Sequence, residues 1–283
     1  MSSFSEKADA KESLWKFAGG AATGTSHSRG GMPCHDSFGY KLLDNSAVII
    51  AVSDGAGSSA QPKTGSELSV ATAIESLEEQ LNEGIPRDET QWKSLIQEAF
   101  QKTREALERK ASESETALRE YASTLILVVL AEGWTVGGLI GDCAAVVLTE
   151  DEELVSLCQP QKGEYASTTN FLTQDDVFDS LDIRIRRESA QCVAVFSDGL
   201  LELALNIAHN KPYPPFFRPL FAFAESVENE QEARKELESF LDSERVNART
   251  DDDKTMVLAS CQKQVQENQN DSEESTRKDF SVV

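Results

Sequence analysis

The sequence has 283 residues, 39% of them hydrophobic, which is enough for a real core in one large domain or two small ones. Its 49 acidic side chains against 27 basic ones leave a formal net charge of -22, which repels phosphate backbones and anionic lipid surfaces and argues against nucleic-acid or membrane partners. Five scattered cysteines (Cys34, Cys143, Cys158, Cys192, Cys261), with three histidines and no CxxC pair, argue against a disulfide framework and against structural zinc.

Residues 1–14 are polar and contain no apolar stretch of signal-peptide length, and no run in the chain reaches the roughly 18 to 20 apolar residues of a membrane span. A cytoplasmic protein is expected, with disordered ends at 1–14 and over the Gln-, Asn-, Ser- and charge-rich residues 262–283, around one domain at 15–261. Inside that domain the first buried strand is SAVIIAVSD at 46–54, β-branched and almost continuously apolar. Two amphipathic helices follow. The first carries Leu68, Ala71, Ile74, Leu77 and Leu81 at helical spacing, and the second carries Trp92, Leu95, Ile96, Ala99, Phe100, Ala106 and Leu107.

From there strand follows strand, at 123–132, 135–142, 144–150, 192–198 and 255–260, with tight turns such as the one at 141–143. That order is not the strand-helix alternation of a doubly wound sheet, so an α+β layered domain with antiparallel sheets is expected. Pro212, Pro214, Pro215 and Pro219 punctuate the aromatic stretch PYPPFFRPLFAFA, which reads as an irregular insertion before a last helix at about 230–243.

Two of the buried strands end alike, SAVIIAVSDGAGS at Asp54 and CVAVFSDGLLE at Asp198. Each puts a carboxylate where a strand leaves the core, followed by a glycine that permits a tight turn and a close backbone approach. Asp-Gly is common turn chemistry, but a carboxylate at the rim of a core is costly unless something compensates it, and a hard cation does so. Asp142 in LIGDCAAV and Asp252 in RTDDDKTMVLA also border apolar strands and extend the pattern. Sparse aspartates suit Mg2+ or Mn2+, which favours metal-assisted hydrolysis of a phosphoester, with a structural Ca2+ or solvated turns as the alternatives.

SHSRGGMPCHDSF, VSDGAGS, the helix pair, ASTLILVVL, IGDCAAVVL, VFSDGLLE and DDKTMVLA together resemble, in this order, the motif series of the protein phosphatase 2C family of metal-dependent Ser/Thr phosphatases. The resemblance spans residues 18–260, and its opening segment is most similar to a bacterial branch with a PCxD element. It implies a four-layer α-β-β-α sandwich, two antiparallel sheets with helices on both outer faces. It implies two divalent ions, with a third held more loosely, and a metal-activated water in place of a protein nucleophile. Asp54 resembles the aspartate that bridges two ions, Gly55 the residue that lends its carbonyl, and Asp198 and Asp252 the remaining metal aspartates. Asp36 matches the first-motif aspartate, and Asp142 the aspartate linked to the loosest ion.

A monomer is expected, and the resemblance further implies action on phosphoserine and phosphothreonine in proteins. The chain departs from the pattern at Gly31, where the family carries a phosphate-gripping arginine, and at His35, where an acidic residue precedes the first aspartate. Arg29 and His27 are the nearest replacements, Arg29 as a two-pronged phosphate grip and His27 as proton donor to the leaving oxygen. A catalytically weak interaction module on the same fold and a small-molecule phosphoesterase are the rival readings.

Overall fold

A computed structural model describes residues 15–161, 169–206, 209 and 211–262, so the expected disordered ends lie outside the described residues apart from Gln262. In chain order the elements are β1 (Trp15–Ala22), α1 (Thr25–Gly30), β2 (Ser37–Leu42), β3 (Val48–Ser53), α2 (Pro62–Glu83), α3 (Glu89–Glu113), β4 (Leu125–Ala131), β5 (Trp134–Ile140), β6 (Ala144–Thr149), β7 (Leu154–Cys158), β8 (Asp182–Arg186), β9 (Ala190–Phe196) and α4 (Leu201–Ala204). A two-residue ladder, β10 (Leu205–Asn206) with β11 (Lys211–Pro212), then leads to α5 (Pro214–Ser226), α6 (Glu230–Leu241), α7 (Glu244–Asn247) and β12 (Lys254–Cys261). No helix among the described residues is long and apolar enough to cross a membrane.

Two five-stranded sheets, ordered β1-β12-β9-β6-β7 and β2-β3-β4-β5-β8, are antiparallel throughout. The inner strands β3, β4, β5, β6, β9 and β12 are almost continuously apolar because both faces of each are covered. Along β3 the even residues Val48, Ile50 and Val52 meet the opposite sheet, with Val193, Val195, Val257 and Ala259 in the same cluster. The odd residues Ile49 and Ala51 face α2 and α3, against Leu77, Leu81, Trp92, Ile96 and Phe100. On the far side Phe196, Met256 and Leu258 pack against Phe217, Phe221, Leu237 and Leu241 of α5 and α6. Helices, sheet, sheet and helices are therefore four layers, as expected. On α2 the buried stripe runs through Val70, Ala73, Leu77 and Leu81, while Ala71 faces solvent.

The proline-rich stretch is a helix, not an irregular insertion. Pro214 and Pro215 sit in the first turn of α5, where a missing N–H costs nothing, and only Pro219 lies inside it. The aromatic content then becomes an apolar face, with Phe217 fully buried among the α5, α6 and β9 side chains. Phe217→Ala is expected to cost about 3–5 kcal/mol in a urea unfolding titration, the range for removing a buried Phe. A loss below about 1 kcal/mol would mean that α5 does not close the second core.

Candidate metal and catalytic site

Strand register brings the aspartates to one end of both sheets. Ser37 pairs with Ser53, so Asp36 and Asp54 leave β2 and β3 side by side, and Leu125 pairs with Ile140, so Asp142 leaves β5 at the same end. In the other sheet Phe196 pairs with both Ala144 and Met256, which sets Asp198, after β9, beside the residues that precede β6 and β12. Asp54 is fixed by Thr124, whose hydroxyl accepts from the Asp54 N–H at 3.0 Å and whose own N–H donates to the Asp54 carbonyl at 2.8 Å. Glycine is required at 55 because a Cβ there would collide with the Pro62 carbonyl at the start of α2.

Asp54, Asp142 and Asp198 each present a carboxylate oxygen within 4.8 Å of the other two. Crowded anions at a protein rim hold protons, and each of these carboxyls is shifted upward. For Asp54 the cause is burial, then the charges of Asp36, Asp198 and Asp142. Asp198 is pushed up to about 8 by burial, then by Asp142, Asp252 and Asp36. Asp142 is raised by burial and by Asp252, against a hydrogen bond from Thr169 to its Oδ2 at 2.5 Å, while its Oδ1 is buried without a partner among the described residues.

Asp36 lies beside this group, near the Ser197 and Thr255 hydroxyls and the Asp54 carboxyl but with neither oxygen in a well-formed hydrogen bond among the described residues; burial foremost, with the charge of Asp253, raises it to about 6 against those neighbours. Buried unpartnered oxygens on mutually repelling carboxyls, with no nitrogen or sulfur donor among them, are the donor set that Mg2+ or Mn2+ binds. The residues present fit such ions.

Asp252 is exposed and outside the three-aspartate group, acting on it through its charge. Its neighbour Asp253, absent from the sequence reading, is buried and holds the opening segment together. Its Oδ1 accepts from the Gly24 N–H and its Oδ2 from the His35 N–H, both at 2.6 Å, and Oδ2 also accepts from His27 Nδ1 at 2.9 Å. Extending the alternation of β12 back from Val257 and Ala259, which face the opposite sheet, points Asp253 inward; that was the available signal.

Lys63, also missed, donates to the Asp36 carbonyl at 2.6 Å and the Ser37 hydroxyl at 3.3 Å, a cation placed by the first turn of α2. Arg29 is exposed in the last turn of α1. Gly31 closes that helix at φ 67°, a left-handed conformation that an arginine would strain, which explains why the expected grip cannot simply be restored there. The Cys34 thiol is pushed far up by burial and by the Asp36 and Asp253 charges, so it is no nucleophile.

Residues 23–242 match the family described as Protein phosphatase 2C. Serine/threonine-protein phosphatase 3 of Escherichia coli (strain K12) is 32% identical over 252 residues, covering 87% of this chain and 98% of its own. Among solved structures, the serine/threonine phosphatase Stp1 of Staphylococcus aureus is similar in fold, with a TM-score of 0.58, 16% identity, and coverage of 88% of this chain and 95% of its own. The catalytic domain of the serine/threonine protein phosphatase PstP, in complex with two manganese ions, gives 0.56 at 17% identity, covering 88% and 99%.

Proposed function

The chain belongs to the protein phosphatase 2C family, and from that premise we propose that it is a metal-dependent phosphatase of phosphoserine and phosphothreonine in proteins. The observation that carries this reading is the convergence of Asp54, Asp142 and Asp198, with buried, unpartnered Asp36 beside them. Asp36, Asp54, Asp142, Asp198, Asp252 and the Gly55 carbonyl would hold two Mg2+ or Mn2+ ions and a looser third, within a catalytic domain at 15–261. When bound, such ions make water nucleophilic near neutral pH and balance charge on the phosphoryl oxygens. The chain's own carboxyls must give up their protons to the solvent for this, which the ions' charge favours. Thr169 holds Asp142 Oδ2 and leaves its Oδ1, without a partner among the described residues, available to an ion. The enzyme works as a monomer in the cytoplasm.

Arg29 grips the phosphate and His27, held by Asp253 through Nδ1, donates a proton from its other nitrogen to the departing alkoxide. Arg29→Ala is expected to raise KM for phosphopeptides about tenfold with kcat nearly kept, and Lys to rescue only in part, because it lacks the planar fork. His27→Ala is expected to slow a phosphothreonine peptide about a hundredfold and an aryl phosphate little, since phenolate leaves unaided. Equal losses on both substrates would assign His27 to the scaffold.

The decisive assay compares hydrolysis of a phosphothreonine peptide with that of nucleotides and sugar phosphates, with Mn2+ and with EDTA. Turnover of the peptide that needs Mn2+ is expected; preference for small phosphoesters, or turnover undiminished by EDTA, would overturn the reading.

A further inference from the structure

A second cluster of metal-binding side chains stands next to the aspartates but differs from them in chemistry. One ring nitrogen of His27, one of His35 and a carboxylate oxygen of Asp253 all lie within 4.8 Å of one another. The two imidazoles face each other with centroids 4.3 Å apart and planes tilted by 47°. His35 is 7% exposed, and its Nδ1 is buried with no hydrogen-bond partner among the described residues, so a donor atom is held in the interior with nothing to bind.

Asp253 is oriented before any ligand arrives. Backbone N–H groups of Gly24 and His35 fix its two oxygens, the outer support that ligating carboxylates characteristically have. His27 Nδ1 and Asp253 Oδ2 are 2.9 Å apart, close to the roughly 3.0–3.4 Å that separates two ligands each about 2.1 Å from one ion.

We propose that His27, His35 and Asp253 form a separate site for a divalent transition ion of the Zn2+ or Co2+ type. Two imidazoles and one carboxylate favour borderline ions strongly over Mg2+, whereas the aspartate group, with oxygen donors only, suits Mg2+ and Mn2+. The open positions are left to water. The site ties three segments together: α1 through His27, the loop before β2 through His35, and the start of β12 through Asp253. It stands one residue from Asp36 on one side and from Asp252 on the other. An imidazole that ligates a metal cannot also be an imidazolium, so ion uptake and proton donation by His27 exclude one another. The site itself does not rest on the phosphatase reading.

The test is Co2+ titration of the full chain with Mg2+ in large excess to fill the oxygen site, read by the visible absorption of imidazole-ligated Co2+ and by calorimetry with Zn2+. One Co2+ per chain is expected. His27→Gln and His35→Gln should each weaken it at least about tenfold, whereas Asp54→Asn with Asp198→Asn should change it less than about twofold. His27 is on a partly exposed helix, and unchanged melting of its variant shows that the loss is not unfolding; should His35→Gln melt early, the His27 variant alone decides. Uptake equal to wild type in folded His27→Gln, or uptake lost with the aspartates and kept without the histidines, would overturn the proposal.

Discussion

Replacing Asp54 or Asp198 by Asn is expected to lower phosphopeptide turnover about a thousandfold at saturating Mn2+, which corresponds to about 4 kcal/mol of transition-state stabilisation. The substitution keeps shape and removes one formal charge from a group whose oxygens converge within 4.8 Å. On the proposed assignment that charge helps to hold the ions, so metal affinity measured by calorimetry should fall with turnover. In the metal-free protein the same swap removes repulsion, because Asp36, Asp198 and Asp142 all act against ionised Asp54. Its melting temperature in chelator should therefore equal or exceed that of the wild type. Asp142→Asn should be milder, about tenfold, because Thr169 already occupies one of its oxygens and the ion it would serve on the proposed assignment is the loosest. Normal turnover of an Asp54 variant would contradict the assignment.

Stability in chelator should fall as pH rises from about 5 to 8, the opposite of what an acidic surface with paired carboxylates would give. An unfolded aspartate titrates near 3.9, while in the folded chain Asp36 is held at about 6 and Asp198 at about 8. Across that window the folded chain binds more protons than the unfolded chain, so the unfolding free energy decreases with pH, by at most about 1.4 kcal/mol per unit for each group still protonated in the folded chain. The loss levels off above the folded values. Saturating Mn2+ should reverse the slope, since the ion binds the ionised folded carboxylates and competes with their protons. Melting curves at matched ionic strength, with EDTA and with Mn2+, check both signs. Asp198→Asn should flatten the chelator curve, which separates this group from every other titrating side chain.

What could be read in the sequence divides along a physical line. The six runs expected as strands correspond to β3, β4, β5, β6, β9 and β12, and these are the six inner strands of the two sheets. The four not foreseen, β1, β2, β7 and β8, are the four edges. An inner strand covered on both faces must be apolar at nearly every position, so it announces itself; an edge strand is partly solvated and carries residues such as Lys16, Lys41, Arg184 and Arg186 that blur the pattern. Helices α2, α3 and α6 were legible for the related reason that one stripe is buried. α5 was not, because proline statistics for helix interiors do not apply to a first turn.

The site divides in the same way. Asp54 and Asp198 stand directly after apolar runs, so their address at the core rim is written into the local sequence. Asp252 and Asp253 are neighbours in an acidic triplet, and sequence alone cannot say which is buried: the structure exposes the first and encloses the second behind Gly24, His27 and His35. The chain by itself thus determined that carboxylates leave buried strands, because burial periodicity is local. Which of them meet, which oxygens stay without partners, and which imidazoles stand beside Asp253 were decided by strand register and sheet packing, since contacts such as that between His27 and Asp253 span 226 positions of sequence and leave no local trace.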